Sequence, residues 1–100
     1  MTFRLLYSAI LFLGFISINN CFAQKTDSIL ARKYGALFEE HEYGDVNRAK
    51  KYVDSAVYFA LRSDNAQLIG RSYQYMGWYY QDRAIYSKAN NYFFKSLAFF

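Results

Sequence analysis

The sequence has no proline and a single cysteine, Cys21, in a chain of 100 residues. One thiol excludes an intramolecular disulfide and any CxxC or zinc-ribbon framework. The absence of proline, with only five glycines, argues against an all-β chain of short strands and tight turns and favours helices. Charge of either sign is also scarce: 12 basic and 8 acidic residues leave a formal +4. The basic residues are dispersed, adjacent only at Arg32-Lys33 and Lys50-Lys51. A nucleic-acid face needs a clustered basic stripe, so no nucleic-acid partner is expected of these residues.

The motifs of common catalysts are missing too. No HExxH, GxSxG, P-loop or dinucleotide fingerprint occurs, and no serine or aspartate is spaced to work with a base. No residue is assigned a catalytic role, and no cofactor is expected. His41, the sole histidine, lies beside Glu39, Glu40 and Glu42. Read plainly, this is a solvated charged turn. The alternative is a small metal-binding protein that uses His41.

The one long uncharged apolar run is at the start. Arg4 precedes an apolar stretch from Leu5 to Ile18, followed by Asn19-Asn20 and then Cys21-Phe22-Ala23. A basic start, an apolar centre and small residues before a cut site are the three parts of a secretory signal. The expected leader is therefore 1–23, with cleavage before Gln24. The run is shorter than the roughly 20 apolar residues of a spanning helix, so no stable membrane span is expected after cleavage. An uncleaved anchor, or a lipid on Cys21, is the alternative. The protein is read as exported, periplasmic or secreted.

The remaining chain, 24–100, is rich in aromatics and similar to itself. Ala49, Tyr52 and Phe59 recur as Ala89, Tyr92 and Phe99, each pair 40 residues apart. Arg48 aligns with Lys88, Val53 with Phe93, Ala56 with Ser96 and Val57 with Leu97. Ala49, Val53, Ala56 and Ala60 share one helical face, as do Ala89, Phe93, Ser96 and Phe100. The alanines let a neighbouring helix come close. Before each of these segments lies another helical pattern: Leu30, Tyr34, Leu37 and Phe38 in the first, and Ile69, Tyr73, Met76, Gly77 and Tyr80 in the second. Pairing Gly35 with Gly77 gives a spacing of 42, which predicts two extra residues in the first copy near 41–43. The expected helices are 27–43, 46–62, 66–82 and 85–100. Asp27 or Ser28 is expected to cap the first, Gly44 to end it in a left-handed turn, and Ser63-Asp64-Asn65 to cap the third.

The residues Tyr73, Met76-Gly77, Tyr80, Tyr86, Lys88-Ala89, Tyr92-Phe93, Ser96 and Leu97 resemble the tetratricopeptide repeat. The earlier copy matches in its second half, through Gly44-Asp45-Val46, Arg48-Ala49, Val53 and Ala56. Ala84 stands where the family has a turn glycine, and Ser96 where it has an alanine. The resemblance implies an all-α solenoid of antiparallel helix-turn-helix repeats, about 27–63 and 66–100. Gly77, Ala49, Ala89, Tyr80 and Phe93 are its packing residues. The longer repeat is similar to the exported N-terminal repeat regions of Bacteroidetes sensor and regulator proteins.

The family's ligands lie on the first helix of each repeat, away from the packing face. Here that stripe carries Arg71, Gln74, Trp78, Gln81 and Asp82, and a protein or peptide is the expected partner. Phe94 and Phe99 are expected to face away from the partner helix, and Phe93 and Phe100 toward it. A repeat array usually ends in a polar cap, so the expectation is a chain incomplete at its C-terminus or one that self-associates through its open end. The function expected is an interaction scaffold, the start of a periplasmic sensor or regulator; the alternative is a stand-alone secreted or envelope adaptor. Ala89→Arg should prevent helix docking and destabilise the fold by about 1–3 kcal/mol, the usual cost of overpacking; an unchanged melting temperature would refute the placement of Ala89.

Overall fold

The computed structural model describes residues 22–100 with their side chains, and of the preceding residues only the backbone from Thr2. The leader expected over 1–23, Cys21 included, thus lies outside the described side chains except at Phe22 and Ala23. Four helices follow one another: α1 (Thr2–His41), α2 (Val46–Ser63), α3 (Ala66–Asp82) and α4 (Tyr86–Leu97). Among the described residues there is no strand, and none of the helices is long and apolar enough to cross a membrane. The fold is all-α, built of helix-turn-helix units. α1 packs on α2 and α3 on α4; α3 also touches both helices of the first pair.

The helix starts have identifiable causes. Asp45 caps α2, its carboxylate accepting from the Arg48 N–H at 2.8 Å. Asn65 caps α3 in the same way, accepting from the Leu68 N–H at 3.2 Å. Side-chain oxygens in these places satisfy amide donors that the first helical turn leaves free. Ile85 stands at the N-cap position of α4 and provides no side-chain cap.

Three expectations about helix ends are corrected. Asp27 and Ser28 do not cap a helix, because α1 continues through them. Asp27 is only 7% exposed and instead meets Arg62 of α2 at 3.4 Å, and the Ser28 hydroxyl donates to the Gln24 carbonyl at 3.0 Å. Gly44 is not left-handed; the turn reverses with ordinary backbone angles and a Gly44 N–H to His41 carbonyl bond of 3.0 Å. Third, α4 stops at Leu97. The chain then turns out of helical register, so Phe99, expected to face away, packs against the Ala31–Ala60–Ile69 cluster, while the edge of the Phe100 ring does lie against Gly70 of the partner helix, as expected. Phe100 is 65% exposed.

Ala49, Val53, Ala56 and Ala60 are all buried, as are Ala89 and Ser96. α3 buries more than the single face its pattern implied. Ile69, Met76 and Gly77 are covered, and so are Gly70, Ser72, Tyr75 and Tyr79, because this helix is packed between two neighbours.

Ring contacts also correct the register between the two copies. Tyr34 lies 6.4 Å from Tyr52 and 5.6 Å from Phe59. Tyr73 lies 6.1 Å from Tyr92 and 5.9 Å from Phe99. His41 sits 5.4 Å from Tyr52, and Tyr80 sits 5.7 Å from Tyr92. The equivalent residues are thus Tyr34 with Tyr73 and His41 with Tyr80, each 39 apart. Between its helices the first copy is one residue shorter than the second, not two longer. Gly35 and Gly77 are not counterparts: a side chain at Gly35 would meet the Tyr75 ring at 2.8 Å, and one at Gly77 would meet the Phe93 ring.

The end of α3 carries strain. Ala84 has φ 59°, while the Ile85 and Ala84 N–H groups donate back to the Tyr80 and Gln81 carbonyls, both at 2.9 Å. These bonds close a Schellman turn, whose left-handed position prefers glycine. A left-handed alanine costs about 1–2 kcal/mol. Ala84→Gly should therefore stabilise the protein by about 1 kcal/mol, raising the melting temperature by roughly 4–8 °C for a domain this small. A lower melting temperature would contradict this turn geometry.

Candidate functional site

The corrected register places two equivalent stripes side by side. On α3 the stripe is Arg71, Gln74, Trp78, Gln81 and Asp82. Subtracting 39 gives Arg32, Gly35, Glu39, Glu42 and Tyr43 along and just beyond α1. Both helices stop at the same end, so their carboxyl-terminal residues face one another across a shared groove.

One end of this groove is tied shut. Tyr75 reaches from α3 to α1, its ring 5.5 Å from Phe38 and its hydroxyl donating to Glu39 Oε1 at 2.7 Å. Arg71 Nε donates to the same hydroxyl at 3.1 Å, and Arg71 Nη2 meets Glu39 Oε1 at 3.4 Å. The Tyr75 phenol has a raised pKa, chiefly because burial disfavours its anion. Beside this relay is a pocket of about 240 Å³, floored by Ala31, Gly35, Ala36 and Leu68 and rimmed by Arg32 and Arg71. Arg71, expected to be free for a partner, is therefore engaged with its own chain.

The other end is open. Trp78, Gln81 and Asp82 line a cleft of about 570 Å³ together with Glu42, Tyr43 and Tyr86. Trp78 is half-buried: its indole packs edge-on at 5.5 Å against Tyr75 and lies against the core, yet it also borders this cleft. The structure thus gathers three of the five stripe residues here. Gln74 lies between the two ends. Sequence reasoning missed Glu42 and Tyr43, in the turn after α1, and Tyr86, the first residue of α4, whose approach depends on how α1 and α3 are aligned. The only available signal was the repeat offset itself.

The cleft is electrostatically uncompensated. Glu42 and Asp82 take part in no ion pair among the described residues. Glu42 has its pKa pushed up from 4.5 to about 7, first by partial burial, then by hydrogen bonding and repulsion from Asp82, then by Glu39. The Tyr43 phenol is raised as well, by the charges of Glu42 and Asp82. Arg83 borders an adjoining cleft with Glu42 and Asp82 but makes no ion pair with either: its guanidinium lies 3.7 Å from the Tyr79 ring centre and donates to the Tyr79 carbonyl at 2.8 Å. Its Nε is buried without an acceptor. Two of the three glutamates beside His41 are engaged elsewhere, since Glu39 serves Arg71 and Tyr75 and Glu42 faces Asp82. No group of three or more His, Cys, Asp or Glu is placed to hold a metal among the described residues.

The raised Glu42 pKa has a thermodynamic consequence. The folded state holds this proton more tightly than the unfolded chain does. Its contribution to stability is complete below about pH 4.5 and is lost as pH rises toward 7. Glu42→Gln should therefore flatten the fall in melting temperature between pH 5 and 7.5; equal slopes in the two proteins would sink the pairing of Glu42 with Asp82. Comparison of the chain with protein-family models, with curated proteins and with solved structures found no match.

Proposed function

We propose that the chain is an exported protein-interaction scaffold of the tetratricopeptide type, forming the N-terminal part of a periplasmic sensor or regulator and binding a polypeptide along the groove of α1 and α3. The observation that carries this reading is Trp78. It is the sole tryptophan, half-buried against Tyr75, with its remaining surface facing a cleft ringed by polar side chains. Tryptophan anchored on a rigid helix at the mouth of a pocket is the usual form of a binding hot spot. The apolar run near the N-terminus supports export, and the recurrence of ring contacts from one hairpin to the next supports the repeat assignment.

A second reading, self-association, is favoured by α4. Phe94 and Leu97 are exposed there, with Phe100 just beyond its end, and Leu97 is bare at the place where its counterpart Val57 packs on the core. An exposed apolar strip of this kind marks a contact surface. The alternative of a stand-alone envelope adaptor uses the same groove and differs only in what the chain is attached to.

Selection from a random peptide library on the full-length protein should yield binders. Trp78→Ala should weaken them by about 2 kcal/mol, roughly thirtyfold, with the helical circular dichroism retained. Unchanged binding, or collapse of the helical signal, would refute the assignment of Trp78 to the groove.

A further inference from the structure

The open end of the groove has a chemistry of its own. Glu42 follows the last turn of α1, and Asp82 is the last residue of α3, whose final turn contains no basic residue. Helix C-termini carry partial negative charge, so two carboxylates and two helix ends of the same sign converge on one cleft. The cleft walls are aromatic: Trp78, Tyr43 and Tyr86. Two of these walls are themselves largely in solvent, and Val46 lies in the adjoining cleft that also borders Glu42 and Asp82. Tyr43 is 84% exposed and Tyr86 62%, with Val46 and Ile85 also exposed. The protein as a whole is basic, at +4, so this concentration of negative charge is local.

We propose that this cleft receives an arginine side chain of a partner polypeptide, with the apolar residues flanking that arginine lying on Tyr43, Val46, Ile85 and Tyr86. The proposal rests on the scaffold reading above and specifies what one end of the groove recognises. A planar guanidinium suits the site twice over. It pairs with carboxylates through a rigid fork of donors, and it stacks on aromatic faces, tryptophan best of all. Tyr43, Val46, Ile85 and Tyr86 supply the apolar contact that keeps water from the ion pair.

Binding is coupled to pH. The groups facing Glu42 are Asp82 and Arg83 at the end of α3, Glu39 on α1, Tyr43 in the turn after α1 and Tyr86 at the start of α4. In the empty cleft Glu42 shares the field of Asp82 and holds its proton to about pH 7. An entering guanidinium favours the ionised form and expels that proton. Affinity therefore rises as pH is raised through 7.

The test uses the full-length protein and two capped pentapeptides. One has arginine between pairs of leucines, and the other has the neutral isostere citrulline in its place. The fluorescence of Trp78 reports on the cleft directly. The arginine peptide should give a saturable change, at least tenfold tighter than the citrulline peptide, and tighter at pH 8 than at pH 6. Glu42→Gln combined with Asp82→Asn should reduce the arginine peptide to the citrulline level while circular dichroism stays unchanged. Equal binding of the two peptides, no effect of the double substitution, or no saturation by the arginine peptide would each overturn the proposal. If library-selected peptides still bind through Trp78 in that event, the scaffold reading stands and the arginine site alone falls.

Discussion

The Tyr75 ring crosses from the second hairpin into the first, and the relation between the hairpins depends on it. The ring fills the space that Gly35 leaves without a side chain and rests against Phe38. Its hydroxyl, held by Arg71, is delivered to Glu39. The contact combines apolar burial with a charge-assisted hydrogen bond, and a bond to an ionised group is roughly twice as strong as a neutral one. Because both features come from one side chain, the lateral spacing and the axial alignment of α1 and α3 are set together. That alignment brings Glu42 and Tyr43 opposite Trp78, Gln81 and Asp82. The groove is thus a consequence of a packing contact on a face that a single-stripe view of α3 leaves out.

What the sequence disclosed, and what it hid, divides along physical lines. The second helix of each hairpin was legible because Ala49, Ala56 and Ala60, with Ala89 and Ser96, sit where helices approach closely, and small residues at helical spacing have few other uses. The first helices were misaligned by one shared residue type. Gly35 and Gly77 are both buried glycines, yet one makes room for Tyr75 from the neighbouring hairpin and the other for Phe93 from its own partner helix. A glycine reports only that something comes close. An aromatic residue reports what it touches, and Tyr34 and Tyr73, with matching neighbours in the two hairpins, fix the true offset.

The ends of helices were harder to read, because a cap works only where the chain leaves the helix. Asp27 has the residue type of a cap but sits inside α1, where it meets Arg62. Ala84, by contrast, has no turn-forming signature and is nevertheless held left-handed by two backbone hydrogen bonds. The groove was half legible for a related reason. Spacing along one helix gave Arg71, Gln74, Trp78, Gln81 and Asp82 as one stripe, but spacing cannot say which of them a neighbouring helix will occupy. Tertiary contact took Arg71 for the relay and left Trp78, Gln81 and Asp82 at the open end. It also supplied the opposite wall from a turn.

That open end is built against local stability. A carboxylate at a helix C-terminus is unfavourable by about 0.3–1 kcal/mol, and here two such carboxylates face each other. Neutral side chains at Glu42 and Asp82 would relieve the repulsion without disturbing the core, since neither residue contributes to the buried clusters. Arg83, which borders the adjoining cleft, adds no ion pair among the described residues; it stacks on Tyr79. Natural chains keep unfavourable local arrangements mainly where function uses them. The interior of this protein pairs its rings, and Asp45 and Asn65 cap two of its helices, while at the mouth of the groove, beside the only tryptophan, two carboxylates face each other with no ion-pair partner among the described residues. The same repulsion that raises the Glu42 pKa is what an incoming cation would relieve, so the destabilised element and the recognition element are one structure.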